Sequence, residues 1–209
     1  MNQILFLPSK KKFKKVYRLI FILFILLFLS FSIYLFIYLY NLYKNDRIAK
    51  NLAKSFEISY LYNNNSNYVA NFASTTVSSD PFVIGVLEID SIKLHYPILS
   101  YSTVESLKVA PCRFAGPMPN EVGNLCIAGH NYLDNSFFGK VSILNTGDEI
   151  KIYDLKGNML KYNIYYKTEI LNSDFSCTSQ ETNGKKMVTL MTCNSLKDTR
   201  IIIVAEEKI

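Results

Sequence analysis

The chain is poor in the residues that mark fibrous, disordered or disulfide-based proteins. Its 8 glycines and 6 prolines in 209 residues are too few for a collagen-like or low-complexity chain. At 49% hydrophobic residues it is also too apolar to be disordered. Four cysteines cannot form a small disulfide scaffold, and no CxxC pair indicates a zinc ribbon. The length fits one ordinary domain and an appendage.

Acidic residues are missing from the first 40 positions, which hold six basic residues: Lys10, Lys11, Lys12, Lys14, Lys15 and Arg18. The whole chain has 23 basic and 17 acidic residues, so residues 41–209 carry 17 of each sign. A nucleic-acid-binding domain needs a surplus of Lys and Arg on the surface that meets the phosphates. Because the surplus of +6 is confined to the N-terminus, we expect no nucleic-acid partner.

An apolar run without charge, glycine or proline follows the basic residues and covers residues 19–40. A helix of that length spans about 33 Å, which is enough for a bilayer core of about 30 Å. The run is longer than the apolar region of a cleavable signal peptide, and no small-residue cleavage site follows it. By the positive-inside rule we predict a cytoplasmic tail over 1–18, a single transmembrane helix over 19–40, and an extracellular remainder.

The rest of the chain divides into a spacer and a β-rich domain. Residues 41–80 are dominated by polar and turn-forming residues and are interpreted as an extracellular stalk, helical up to Ile58. Over 81–209, short β-branched runs alternate with turn residues, which predicts an all-β domain and a small barrel of about eight strands. Strands are predicted over 82–89, 92–99, 124–129, 149–154, 159–170, 186–193 and 199–206. A helix over 102–109, capped by Ser102 and Glu105, and a helical turn within 137–144 complete the pattern.

Histidine is scarce, and the chain offers only His95 and His130 for proton transfer near neutral pH. His95 lies in a predicted strand next to Pro97 and is interpreted as a strand-face residue without a chemical role. His130 follows Gly129 at the end of a buried-looking strand, where a side chain can project from a rigid element into a cleft. His130 is therefore the candidate acid or base.

Cys193 is the candidate nucleophile because it ends a predicted strand beside a polar turn. Arg200 lies on the next strand, and a tight hairpin between them would bring the two side chains together. A cationic neighbour favours the thiolate, and arginine stays charged to stabilise an oxyanion. The other cysteines are predicted in a proline-rich loop, an apolar strand and a polar loop: Cys112, Cys126 and Cys177. Four cysteines in an exported domain allow three disulfide pairings, although Cys126 has the character of a small buried hydrophobic residue.

These residues carry a resemblance to a known family. The run TLMTC, ending at Cys193 and followed by Arg200, with Gly129-His130 upstream, resembles the sortase family of cell-wall cysteine transpeptidases. The flanking segments GVLEIDSIKLHYPI, GNLCIAGHN and FFGKVSILNTGDEIKIY are similar as well, so the resemblance covers about 82–207. An N-terminal membrane anchor before an extracellular domain is also the usual layout of that family.

The resemblance implies a closed eight-stranded sortase-type β-barrel in which Cys193, His130 and Arg200 line one groove. It implies that Cys193 attacks the Thr–Gly carbonyl of an LPXTG-like sorting signal near the C-terminus of a secreted protein. His130 would protonate the departing amine and then deprotonate the amine of a cell-wall precursor or a pilin lysine. Arg200 would support the oxyanion, and no cofactor is implied.

Two further features are interpreted without a functional role. Asp80-Pro81-Phe82 resembles the Asp-Pro-aromatic lid motif of class C sortases, but a proline at a strand entrance accounts for it. Glu169, Asp174 and Glu181 are interpreted as solvated acids, so we expect no metal.

Other classes of protein fit the sequence less well. A papain-like protease places its cysteine before its histidine, which is the reverse of the order here. A chymotrypsin-like cysteine protease normally has a glycine-rich loop around the nucleophile, which is absent from MTCNS. The remaining alternative is a membrane-anchored extracellular binding module with a catalytically silent barrel, in which Cys193 is structural.

Overall fold

A computed structural model describes residues 10–63, 82–194 and 196–208. The chain divides into two compact units between Lys44 and Asn45. One long helix, α1, runs over Lys10–Asn63 because no glycine or proline interrupts that stretch. It is long and apolar enough to cross a membrane, and it extends beyond the predicted span of 19–40 in both directions. Residues 64–81, which include most of the second half of the predicted stalk, lie outside the described residues.

The second unit is built around eight strands. These are β1 (Val83–Ile89), β2 (Leu94–Leu99), β3 (Cys112–Ala115), β4 (Gly123–Ala128), β5 (Glu149–Asp154), β6 (Met159–Leu171), β7 (Lys186–Cys193) and β8 (Thr199–Glu207). They close into a barrel in the order β1-β2-β3-β4-β7-β8-β6-β5. The β2/β3 and β4/β7 pairs are parallel, and the other pairs are antiparallel. The predicted closed eight-stranded barrel, preceded by an apolar N-terminal helix, is confirmed.

Two local predictions differ from the structure. Cys112 was predicted in a loop but begins β3, a strand of four residues that pairs with β4. The predicted cap of the short helix is wrong by one residue. In α2 (Val104–Leu107) the Thr103 hydroxyl accepts a hydrogen bond from the Ser106 backbone N–H, and the Ser106 hydroxyl accepts one from the Thr103 backbone N–H. Serine at this third position completes the reciprocal cap that Ser102 and Glu105 were expected to form.

The alternating side chains of the strands form two apolar layers. The barrel core contains fully buried residues from most strands, including Ile84, Leu87, Ile127, Ile152, Leu190 and Ile203. A smaller cluster alternates with them on β4, β7 and β8: Cys126, Met191, Ile202 and Val204. Cys177, from the connection between β6 and β7, packs against this second cluster. The β6–β7 connection therefore covers the outer face of these three strands.

The last part of α1 belongs to the same unit as the barrel. Ala49 and Ala53 are fully buried, and Leu52 packs against the barrel core. Tyr96 of β2 donates a hydrogen bond to the Asp46 carboxylate at 2.5 Å. Small residues on this face of the helix allow close packing, so this segment is part of the folded unit.

Candidate active site

Cys193 and Arg200 lie on neighbouring strands directly opposite each other. Cys193 is the last residue of β7 and its side chain is exposed. β7 and β8 are antiparallel, and Cys193 pairs with Arg200 in their register. Directly paired residues on adjacent strands point to the same face of a sheet. The predicted hairpin is present, and it places Cys193 and Arg200 directly opposite each other in the β7/β8 register.

His130 approaches Cys193 from the other side of β7. β4 and β7 are parallel, with Ala128 beside Met191. The Gly129 amide donates to the Met191 carbonyl at 3.1 Å, and the Thr192 hydroxyl donates to the Gly129 carbonyl at 2.8 Å. Continuing this register by two residues brings His130 level with Cys193. The structure thus gathers the three candidate residues at one end of three adjacent strands.

A hydrogen bond that the sequence did not reveal joins the segment after β4 to the end of β7. The Asn131 side-chain amide donates to the Cys193 carbonyl at 2.9 Å. Asn131 directly follows His130, so this bond fixes the chain leaving β4 to the end of β7. An asparagine beside a histidine carries no distinctive signal, because its partner is distant in the sequence.

Gly129 is required by close packing immediately before His130. A Cβ at position 129 would lie 2.8 Å from ring atoms of Phe138, which is closer than real Cβ atoms approach. The Phe138 amide also donates to the His130 carbonyl at 2.9 Å. The Gly-His step of the sequence therefore has a structural cause, since only glycine lets the Phe138 ring pack under the chain that carries His130.

The surroundings of His130 favour its neutral form. The imidazole is half-buried, and its centroid lies 5.1 Å from that of the Tyr132 ring. Burial and, secondly, the positive charge of Lys108 hold the pKa of His130 below its ordinary value. At neutral pH the imidazole is therefore ready to accept a proton.

Arg200 contacts an aromatic ring, and this contact was not predicted from the sequence. Its guanidinium carbon lies 4.8 Å from the centroid of the Phe175 ring. One terminal nitrogen, Nη1, is buried and has no hydrogen-bond partner among the described residues. Phe175 lies in the β6–β7 connection, and nothing in its local sequence indicates contact with β8.

Glu169 is more than the solvated acid that the sequence suggested. On β6, its carboxylate accepts hydrogen bonds from Asn194 Nδ2 at 3.0 Å, from Lys197 Nζ at 3.3 Å, and from the Thr199 hydroxyl. These bonds lower the pKa of Glu169, and they hold the turn that connects Cys193 to β8. Within the described parts of the chain, no group of three or more His, Cys, Asp or Glu residues could hold a metal ion.

The other cysteines lack the surroundings of a nucleophile. All four cysteines are free, and Cys193 alone is exposed. Burial raises the pKa of Cys112 to about 11. Burial and the neighbouring Cys177 raise that of Cys126 to about 12. These thiols stay protonated at neutral pH, which makes them poor nucleophiles.

His95 lies on β2, and its Nδ1 is 3.7 Å from a carboxylate oxygen of Glu88 on the neighbouring β1. The Glu88 carboxylate is partly buried and also pairs with Lys151, so His95 belongs to a charged cluster on the strand face, which fits the strand-face interpretation. Chemically, the Cys193 end of the barrel combines an exposed thiol, an imidazole that favours its neutral form, and a guanidinium. This combination suits attack on a carbonyl, with the developing negative charge next to arginine.

Comparison with known proteins gives a consistent result. The family model described as "Sortase domain" matches residues 87–208. Sortase A of Bacillus anthracis is 32% identical over 117 residues, which cover 56% of this chain and 54% of that protein. The chain therefore matches about half the length of this curated relative.

Solved structures show the same barrel. The structure of a Clostridium perfringens Sortase D5 transpeptidase has a TM-score of 0.65 and 27% identity, covering 78% of this chain and 99% of that one. Sortase A of Listeria monocytogenes has a TM-score of 0.56 and 22% identity, covering 61% and 88% of the two chains. Because the identity to the Listeria monocytogenes protein is only 22%, that similarity supports the fold alone.

Proposed function

Because the chain belongs to the sortase family, we propose that it is a cysteine transpeptidase acting on secreted proteins. It cleaves an LPXTG-like sorting signal near the C-terminus of such a protein and transfers the protein to an amine. The amine belongs to a lipid-linked cell-wall precursor or to a pilin lysine. The observation that carries the proposal is the position of Cys193, opposite Arg200 on β8 and level with His130 beyond β4.

In the first half-reaction Cys193 attacks the Thr–Gly carbonyl. Neutral His130 accepts the thiol proton as the carbon–sulfur bond forms, and the carbonyl oxygen gains negative charge. Arg200 stabilises that oxyanion through the positive charge and N–H donors of its guanidinium. The tetrahedral intermediate collapses, the carbon–nitrogen bond breaks, and the imidazolium of His130 protonates the departing amine. A thioester on Cys193 remains.

In the second half-reaction an amine replaces the departed peptide. Neutral His130 accepts a proton from the incoming amine as its nitrogen attacks the thioester carbonyl. Arg200 again faces the oxyanion, and Cys193 leaves as a thiolate that recovers its proton from His130. The new amide bond joins the secreted protein to its acceptor, and the enzyme returns to its starting state.

The proposed location follows from the N-terminal helix. Residues 1–18 form a cytoplasmic tail, residues 19–40 cross the cell membrane once, and the catalytic barrel of residues 81–209 lies outside the cell. The six basic residues before the apolar run support this orientation. Residues 41–80 connect membrane and barrel, and the buried Ala49 and Ala53 support a spacer whose first part packs on the barrel.

A peptide-library screen on the full chain in detergent micelles tests the proposal. Intact-mass detection of a thioester on Cys193 identifies the nucleophile and the preferred motif together. We expect no thioester with Cys193→Ala, no turnover with His130→Ala, and a loss of orders of magnitude with Arg200→Ala. The silent binding module predicts an unreactive Cys193 and unchanged behaviour of Cys193→Ala. Full turnover by that variant would contradict the proposed function.

A further inference from the structure

We propose that Phe175 is a positioning residue that holds the Arg200 guanidinium in its working orientation by stacking beneath it. This inference rests on the proposed function for its catalytic consequence. Its structural basis is the 4.8 Å separation between the guanidinium carbon and the ring centroid. A cation at this distance over an aromatic face is attracted by the ring quadrupole.

Arg200 depends on this ring because other strong contacts to its guanidinium are missing. Across residues 10–63, 82–194 and 196–208, no carboxylate lies within salt-bridge distance of Arg200. Nη1 is buried and has no hydrogen-bond partner there. The strand pairing with Cys193 fixes the backbone of Arg200 and leaves its side chain unconstrained. The long side chain would otherwise sample several rotamers, at a cost in entropy when it must be ordered for catalysis.

An aromatic ring suits this task better than a carboxylate. A carboxylate would accept two of the guanidinium N–H bonds and neutralise part of the charge that an oxyanion needs. A ring holds the flat face of the cation and leaves the N–H groups in its plane unoccupied. Stacking therefore fixes the direction of Arg200 without consuming its donors.

Phe175 is itself well supported. Its ring stacks on Phe114 of β3 with centroids 5.8 Å apart and planes within 6° of parallel. The two residues that flank Phe175 in the chain are joined to each other, because the Asp174 carboxylate accepts a hydrogen bond from the Ser176 amide at 2.8 Å. Two residues after Phe175, the Cys177 carbonyl accepts a hydrogen bond from the Asn124 side chain at 3.0 Å. This bond attaches the β6–β7 connection to β4. The ring is thus positioned before any substrate arrives.

The first test measures thioester formation by the full chain in detergent micelles, with a sorting peptide that the wild type accepts. Phe175→Leu keeps an apolar side chain but removes the aromatic face, and we expect kcat/KM for acylation to fall about three- to tenfold. Phe175→Tyr retains the face and should stay within about twofold of the wild type. Tyr166→Leu is the matched control, since Tyr166 is 51% exposed against 45% for Phe175.

A double-mutant cycle separates positioning from general destabilisation. In the Arg200→Ala background, Phe175→Leu should cause no further loss, because the ring then has no cation to hold. An equal loss in both backgrounds, or wild-type acylation by Phe175→Leu, would overturn the proposal.

A second measurement does not depend on activity. The chain contains four arginines, Arg18, Arg47, Arg113 and Arg200, so a spectrum of ¹⁵N-arginine-labelled protein is simple to assign by Arg200→Lys. Phe175→Leu should move the Arg200 side-chain signal, through loss of the ring current, and leave that of Arg113 in place. An unmoved Arg200 signal refutes the stacking. If instead the wild type forms no thioester with any peptide while the Arg200 signal moves, the proposed function fails and the stacking stands.

Discussion

Tyr96 of the barrel donates a 2.5 Å hydrogen bond to Asp46 of the long N-terminal helix. The Tyr96 ring also packs edge-on against Phe137 at 5.2 Å, and Phe137 contacts Tyr132, whose ring lies beside His130. A chain of contacts therefore runs from the helix to the candidate base. Because Tyr96 is only 5% exposed, its hydroxyl needs a partner, and Asp46 supplies it.

Tyr96→Phe and Asp46→Asn should both lower the stability of the barrel. Tyr96→Phe leaves the Asp46 carboxylate without this donor, so we expect the free energy of unfolding to fall by about 1–2 kcal/mol. Asp46→Asn keeps an acceptor but removes the charge, so its effect should be smaller. Urea unfolding of the full chain in detergent measures both. Tyr166→Phe, at an exposed tyrosine on β6, is the control and should change little.

Lys108 should contribute to the pH at which the His130 base loses activity, in addition to the larger effect of burial on the pKa of His130. The positive charge of Lys108 lowers the pKa of His130, so the base stays neutral to a lower pH than an ordinary histidine does. Lys108→Ala removes that charge, the pKa of His130 rises, and the acid limb of kcat/KM for thioester formation moves to higher pH. Lys156→Ala, at the exposed turn between β5 and β6, should leave the profile in place. An acid limb that stays fixed or moves to lower pH in Lys108→Ala would contradict this account.

Asn131 should be needed to hold the end of β7. Removing its hydrogen bond to the Cys193 carbonyl frees the backbone that carries the nucleophile. We expect Asn131→Leu, which keeps a side chain of similar size but loses the donor without adding a charge beside His130, to lower the rate of thioester formation about three- to tenfold. Single-turnover mass spectrometry gives the rate, and urea unfolding shows whether stability changes in parallel. A slow rate with unchanged stability supports positioning, and an unchanged rate contradicts it.

Local patterns were sufficient to predict most of the barrel. The strands predicted over 149–154 and 186–193 coincide with β5 and β7, because each is an apolar or alternating run that ends at turn residues. β3 was missed because its four residues lie between Pro111 and Gly116, a setting typical of a loop. Its extended conformation comes from pairing with β4, and such a partner distant in the chain leaves no local pattern.

The site was predictable to the extent that its contacts are local. Cys193 and Arg200 belong to one hairpin, so their pairing follows from the sequence between them. The approach of His130 depends on β4 lying parallel to β7, and no local pattern predicts that pairing. The resemblance implied only that the three residues line one groove. Phe175 reaches Arg200 from another connection, through a contact between side chains. No periodicity or turn signal encodes such a contact, and only the folded structure reveals it.

Asn124 should hold the β6–β7 connection against the barrel. It is 3% exposed, and its Nδ2 donates to the carbonyls of Cys177 and Ser179 at 3.0 and 3.1 Å. Its Oδ1 accepts a hydrogen bond from the buried Thr189 hydroxyl at 2.8 Å. Asn124→Ala would leave these groups without their partner, so we expect the free energy of unfolding to fall by about 2–4 kcal/mol.

The same substitution should loosen the connection before the barrel unfolds, because two of the lost bonds lead to it. Limited chymotrypsin digestion under native conditions should then cut at Phe175 faster in Asn124→Ala than in the wild type. Thr189→Val removes only the bond inside the barrel, and its cleavage rate should stay close to that of the wild type. If Thr189→Val were cut as fast as Asn124→Ala, the loosening would come from general destabilisation and not from the bonds of Asn124 to the connection.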